Sequence, residues 1–114
     1  MTKPYTRLNL PINWIEHNPD HHKLGKQQPF YVNDSNIKGW TFLWNEGEGL
    51  PPHDHKERPE TAHITVCISG KLKIIFPDEE IVLEPGDVYD LAVNVPHELR
   101  AVADNTLVMN IIKV

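Results

Sequence analysis

GEGLPPHDH, at residues 47–55, is the stretch around which the rest of the chain is arranged. Its glycines and proline pair indicate that a preceding strand ends here. His53 and His55 stand two residues apart, and side chains at i and i+2 of an extended chain project to the same face. Two imidazoles, the commonest metal-binding side chains near neutral pH, can therefore reach one point in space. The short His-x-His spacing alone is more typical of two solvated loop histidines, so a metal site depends on support from the rest of the chain.

From residue 40 onward, short apolar segments alternate with turn signals. Residues 40–44 place three aromatic side chains on one face, which is more often core than the lining of a binding pocket. Pro-Gly at residues 85–86 matches the central pair of a type II turn, and Asp-Asn at residues 104–105 predicts a hairpin turn. Segments of this length, without a 3.6-residue periodicity, predict an all-β sandwich or barrel.

Length and composition exclude several classes of protein. A chain of 114 residues fits one domain. Its net charge of -5, without a basic cluster, argues against nucleic acid or an anionic membrane as partner. No apolar run approaches the ~20 residues of a membrane span, and no signal-peptide pattern follows Met1. The single cysteine, Cys67, excludes an internal disulfide framework and favours a reducing cytoplasm.

The two histidines belong to a longer pattern that resembles the first motif of the cupin superfamily of small β-barrel proteins. That motif reads glycine, five residues, His-x-His, three or four residues, glutamate, six residues, glycine. Its first half is matched by Gly47, His53, His55 and Glu60. Nine residues instead of six separate Glu60 from Gly70, and counting back from Gly70 puts His63 at the position of the glutamate.

The second cupin motif resembles Pro-Gly-Asp at residues 85–87 followed by Pro96 and His97. His97 takes the position of the last metal ligand in that motif. The sequence departs from the pattern at Val95, where glycine is usual, and at Ala101, where asparagine is usual. The resemblance covers roughly residues 40–112.

The resemblance implies a jelly-roll barrel, also called a double-stranded β-helix. We expect residues 40–114 to form this barrel. Residues 1–39 are expected to be an extension with one or two strands that pack on the barrel, so that the whole chain is one structural domain.

Strand geometry favours His63 over Glu60 as the third ligand of the first motif. Pro59 restricts the backbone just before Glu60, which indicates an approach loop in which Glu60 is solvated. His63 begins the apolar segment 63–68 and shares the more polar, lumen-facing side of this strand. The alternative for His63 is a partly buried histidine that is hydrogen-bonded to backbone.

The ligand set implied by the resemblance is therefore His53, His55, His63 and His97. Imidazoles without a thiolate suit one divalent transition metal, Fe, Mn, Ni, Zn or Cu, and are poor ligands for calcium or magnesium. Four protein ligands on an octahedral ion leave two positions for water, dioxygen or substrate, as expected of a catalytic site.

Cupins of known activity include dioxygenases, isomerases and lyases, so the fold alone does not select the chemistry. We expect a metal-dependent, dioxygenase-like enzyme that acts on a small oxygen-bearing metabolite, with Glu60 or Tyr89 as acid/base groups. The alternatives are a cupin isomerase, a cupin that binds a sugar or another small molecule without turnover, and a metal-free barrel that serves as a dimerisation unit.

Two further expectations concern the outside of the barrel. Ile64, Val66 and Ile68 share the strand face opposite His63 and could form an apolar homodimer surface. Arg100 could anchor an anionic substrate if it pointed inward, although a surface arginine is the more typical interpretation.

Overall fold

The computed structural model describes residues 15–16, 25–30, 32, 34–53, 62–91 and 95–113, and every regular element in these ranges is a strand. The all-β prediction is confirmed. The ten strands are β1 (Ile15–Glu16), β2 (Lys26–Phe30), β3 (Ile37–Trp44), β4 (Gly49–His53), β5 (Ala62–Ser69), β6 (Leu72–Ile75), β7 (Glu80–Leu83), β8 (Val88–Asp90), β9 (His97–Ala101) and β10 (Thr106–Lys113). No helix in the described part of the chain is long and apolar enough to cross a membrane.

The strands form two antiparallel sheets. The first has the order β1-β2-β3-β10-β5-β8 and the second the order β4-β9-β6-β7. From β3 onward the chain passes repeatedly from one sheet to the other, so that β5, β8 and β10 join the first sheet while their neighbours in sequence join the second. This exchange of strands between two sheets is the jelly-roll arrangement that the sequence predicts.

The division of the chain at residue 39 stays a prediction. Strand β3, which pairs with β2 on one side and β10 on the other, begins at Ile37 and therefore crosses that boundary.

Alternation of side chains along the strands separates a buried interior from the outer faces. On β5, His63, Thr65 and Cys67 are buried, whereas the aliphatic side chains between them are more exposed. This confirms the predicted division of residues 63–68 into two faces. The predicted aromatic face of β3 also belongs to the interior, where the rings of Phe42 and Trp44 stack with centroids 4.9 Å apart.

Of the two turns predicted from the sequence, the first is confirmed by the structure and the second is wrong. Gly86 has a φ of 93°, as the second central residue of a type II turn requires. The predicted hairpin at residues 104–105 is wrong, because β9 and β10 lie in different sheets. Both edges of β9 are already paired, with β4 and β6, and both edges of β10 with β3 and β5. Residues 104–105 form instead a turn that carries the chain between the sheets.

The proline pair at residues 51–52 lies inside an edge strand. The preceding strand, β3, ends at Trp44, as the sequence predicts. The next strand, β4, begins at Gly49 and includes both prolines. Proline lacks an amide donor and is tolerated where a strand borders solvent or loses its register. Strand β4 is the edge of its sheet, and its register with β9 shifts between Leu50 and His53. The result is that the backbone of His53 pairs opposite His97.

Cys67 is a core residue in this fold. Its side chain is fully buried on the interior face of β5, and its thiol donates to the carbonyl of Ser69 at 3.5 Å. Burial raises the pKa of the Cys67 thiol, and the negative charge of Asp87 raises it further, although a hydrogen bond with the backbone of Leu72 opposes both. The folded protein therefore holds this thiol protonated.

We predict that iodoacetamide labels Cys67 much more slowly in the folded protein than in the denatured chain, because the reactive thiolate is disfavoured and buried. Above a pH of about 8.5, the free thiol of the unfolded chain ionises while the folded one keeps its proton. The contribution of Cys67 to stability is thus present below that pH and lost as pH rises further. The Cys67→Ala variant has no thiol to titrate at this position. Its thermal unfolding temperature should therefore fall less steeply with rising pH than that of the wild type. Equal labelling rates in folded and denatured protein would contradict the assignment.

Candidate metal centre

Two histidines, one from each sheet, meet inside the barrel. His63 lies on β5 of the first sheet and His97 begins β9 of the second, and each side chain is only 2% exposed. Their ring centroids are 5.7 Å apart, and the ring planes are inclined at 75°. The structure therefore brings together two of the four predicted ligands, from segments that are distant in sequence.

A backbone carbonyl orients the ring of His97. The Nδ1 atom of His97 lies 2.8 Å from the carbonyl oxygen of Val95. A carbonyl oxygen can only accept, so Nδ1 carries the proton, and in the neutral ring the lone pair belongs to Nε2. An imidazole held through one N–H by a backbone carbonyl is the usual arrangement of a histidine that binds metal through its other nitrogen. Sequence could not reveal this contact, because the acceptor is a main-chain atom.

Two buried polar side chains accompany His63. The hydroxyl of Thr65 lies 3.5 Å from Nε2 of His63 and 2.9 Å from Oδ1 of Asn110. Thr65 is fully buried, and Asn110 is 2% exposed. Sequence reasoning did not select either residue, although the interior-facing position of Thr65 follows from the same alternation that places His63. Asn110 gives no such signal, since its pairing with Thr65 joins segments 45 residues apart.

The remaining predicted ligands are tested less directly. The backbone of His53 lies opposite His97, whereas His55 and Glu60 fall outside the described residues. Within the described ranges, no three side chains of histidine, cysteine, aspartate or glutamate lie close enough together to hold a metal ion. The four-histidine set and the choice of His63 over Glu60 therefore stay predictions, although the buried imidazole pair has the donor chemistry that a transition metal requires.

Tyr89 shares the interior face with these residues. It is half-buried on β8 and pairs directly opposite Thr65, which places both side chains on the same side of the sheet. The Tyr89 ring lies 6.2 Å from the ring of Phe76, measured between centroids. The structure thus places Tyr89 next to the Thr65 position, while its predicted acid/base role stays a prediction.

A small apolar pocket adjoins His97. Its volume is about 160 Å³, and its lining comprises Ile75, Phe76, Pro77, Pro96, His97 and Glu98. Pockets that enclose drug-sized ligands are larger, at roughly 300–1,000 Å³. This pocket can therefore admit a small molecule or one apolar group of a larger one.

Arg100 is tied to the protein surface. It alternates with the buried Leu99 and Ala101 on β9, so it points away from the interior. Its guanidinium forms an ion pair with Glu98, and its Nη1 donates to the carbonyl of Gly47 at 2.9 Å. These contacts support the interpretation of Arg100 as a surface residue rather than an anchor inside the barrel.

Comparison with known proteins places this arrangement in context. Residues 40–113 match the family model described as the cupin domain. No curated protein matches this chain in sequence.

Several solved structures share the fold. KdgF from Halomonas sp. has 19% identity and a TM-score of 0.74, over 93% of this chain and 91% of that one. An RmlC-like cupin protein from Desulfovibrio desulfuricans has 24% identity and a TM-score of 0.67, over 89% and 92%. A cupin 2 conserved barrel domain protein from Salinispora arenicola has 14% identity and a TM-score of 0.73, over 96% and 87%. At these identities the likeness concerns the fold alone, and together with the family match it establishes that the chain belongs to the cupin family.

Proposed function

We propose that the protein is a mononuclear metal-binding cupin that acts on a small oxygen-bearing metabolite, with His53, His55, His63 and His97 as ligands. The observation that supports this most strongly is the approach of two buried imidazoles from separate sheets to a centroid distance of 5.7 Å. One of these rings is anchored through Nδ1 to a backbone carbonyl. The donor set fits one divalent transition metal, Fe, Mn, Ni, Zn or Cu.

The burial of His63 and His97 argues for such a role. Protonation of both rings would place two positive charges close together in a low-dielectric interior, which is strongly unfavourable. Each ring in its neutral form offers a lone pair, and aliphatic side chains would fill the same space without burying polar nitrogen atoms. A metal ion that accepts those lone pairs gives the pair a function.

A bound ion would supply Lewis acidity toward a substrate oxygen and, if redox-active, would support chemistry with dioxygen. Residues of the chain would supply the acid/base groups. Tyr89 is the first acid/base candidate, and its half-buried position opposite Thr65 supports this role. Glu60 is the second acid/base candidate on the basis of sequence.

Binding without turnover is the alternative that one observation favours. The buried polar side chains of the described residues belong to Thr41, His63, Thr65, His97, Thr106 and Asn110. None of these is a carboxylate that could act as a general base. A cupin that captures a sugar or another small molecule fits this composition, and isomerase chemistry is the other enzymatic alternative.

Composition supports the rest of the proposal. We place the protein in the cytoplasm, because its single cysteine is a free, buried thiol. The net charge of -5 argues against nucleic acid and anionic membranes as partners. A small molecule is the remaining class of partner, besides a second copy of the chain.

The second copy would dock on the outer face of the six-stranded sheet. Val66 pairs with Val88 on one side and with Met109 on the other, and Ile64 pairs with Ile111 on one side and with Asp90, at the edge of the strip, on the other. These aliphatic side chains share the face that points away from the interior, and Val88 is 63% exposed. A continuous apolar strip on a sheet face is typical of a protein interface, and a symmetric homodimer would bury it on both copies.

The ligand assignment predicts the metal content of protein purified without chelator or nickel resin. We expect about one transition-metal ion per chain in the wild type and close to none in His63→Ala and His97→Ala, because each variant removes a donor. Glu60→Ala is the matched control and should keep its metal. Loss of metal from Glu60→Ala together with retention in His63→Ala would reverse the assignment. A wild-type protein that neither contains nor binds a transition metal would overturn the proposal.

Oxygen uptake by the metal-loaded protein separates the enzyme from the binder. With a panel of vicinal diols, thiols and diketones, the dioxygenase-like function predicts uptake that depends on one substrate class and disappears in His97→Ala. Ligand binding without uptake or product would favour the non-catalytic cupin. Product of unchanged elemental composition, formed without oxygen, would favour an isomerase.

The homodimer predicts a mass in solution twice that of the chain. Val88→Asp should shift the protein toward the monomer in sedimentation velocity, because it places a charge in the apolar strip. Val82→Asp is the matched control, since Val82 is 47% exposed on the other sheet. If both variants kept the dimeric mass, or if the wild type were monomeric at high concentration, the proposed interface would be wrong.

A further inference from the structure

We propose that Thr65 and Asn110 are positioning residues that set the tautomer and the orientation of His63. The role of this pair in metal binding rests on the proposed function, but its effect on the His63 ring does not depend on a metal. The inference starts from the chain of contacts His63–Thr65–Asn110, in which all three side chains are buried.

The burial of these polar side chains needs a compensating interaction. Thr65 and Asn110 lie directly opposite each other on the adjacent strands β5 and β10, on the interior face. A buried amide or hydroxyl without a hydrogen bond destabilises the folded protein. The bond from Thr65 to Asn110 satisfies part of this requirement, but two aliphatic residues would need none. The presence of two buried polar side chains at these positions is explained if they present a hydrogen-bonding atom to His63.

The direction of the hydrogen bonds follows from the number of protons. A threonine hydroxyl has one proton, and Thr65 donates it to Oδ1 of Asn110 at 2.9 Å. Toward Nε2 of His63 the same oxygen can then only accept, so Nε2 carries the proton. In the neutral ring of His63 the lone pair therefore belongs to Nδ1.

The contacts of the two facing histidines thus favour opposite tautomers. His97 keeps its proton on Nδ1, which donates to the carbonyl of Val95, and its lone pair is on Nε2. His63 keeps its proton on Nε2, and its lone pair is on Nδ1. The 3.5 Å contact of His63 is long for a hydrogen bond, so the pair biases the tautomer of His63 and does not lock it. A ligand that withdraws electron density from the ring would strengthen the bond.

The first experiment measures the tautomer of His63 in the metal-free wild type. Nitrogen-15 chemical shifts of the imidazole, recorded at a pH where the ring is neutral, distinguish a protonated Nε2 from a protonated Nδ1. We expect the form with the proton on Nε2 to predominate for His63 and the opposite form for His97. A His63 ring that carries its proton mainly on Nδ1 would overturn the inference, and this measurement needs no variant.

The second experiment removes the hydroxyl. Thr65→Val should move His63 toward a mixture of tautomers and weaken Zn²⁺ binding by about 10–100-fold, the usual effect of losing a group that orients a metal ligand. Thr65→Ser restores the hydroxyl and should restore both properties.

Thr41→Val is the matched control. Thr41 is equally buried on the same sheet, but its hydroxyl donates to the carbonyl of Gln28 at 2.8 Å. This substitution should leave the tautomer of His63 and the Zn²⁺ affinity unchanged.

The outcomes separate this inference from the proposed function. If the wild type binds no Zn²⁺ but Thr65→Val still shifts the tautomer, the metal-binding function fails and the positioning pair stands. If the wild type binds Zn²⁺ and neither the tautomer nor the affinity responds to Thr65→Val, the pair is only part of the core and the inference is wrong.

Discussion

The alternation of side chains along strands whose edges are already paired is the constraint on which this structure depends. Strand β5 pairs with β8 and β10, and β9 pairs with β4 and β6, so neither strand can slide without breaking two ladders. A slip of one residue would move His63 to the outer face and bring Ile64 into the interior. The meeting of His63 and His97 is therefore fixed by the register of the backbone rather than by any contact between the two rings.

The same register divides the interior into a polar end and an apolar end. At the apolar end, Leu72 pairs opposite Ala101, and Val108 lies beside Cys67. At the other end, Asn110 lies beside Thr65, next to the two histidines. The buried apolar side chains supply the favourable free energy of burial, and the polar end depends on hydrogen bonds among its side chains and to the backbone. A functional site can thus occupy one end of a small barrel while the other end holds the two sheets together.

The features of the fold that depend on local periodicity could be predicted from the sequence. Those that depend on the pairing of distant strands could not. The all-β fold, the two faces of residues 63–68 and the turn at residues 85–86 all follow from side-chain alternation and from the φ angles of proline and glycine. The hairpin at residues 104–105 was wrong because the sequence of a turn does not show whether its two strands already have partners. The interior position of His63 could be predicted because His63 lies in an alternating strand. That of Asn110 could not, because its polar character alone suggests a surface position.

The groups that contact the two histidine rings differ in how readily a substitution can change them. His97 is held by the main-chain carbonyl of Val95, which every residue at that position supplies as long as the loop keeps its path. His63 contacts the hydroxyl of Thr65, which in turn donates to Asn110, and single substitutions can remove or replace either side chain. Different members of a fold can therefore keep the first contact while they alter the second. In this protein, the basicity and the orientation of His63 are the properties of the centre that the surrounding sequence is best placed to adjust.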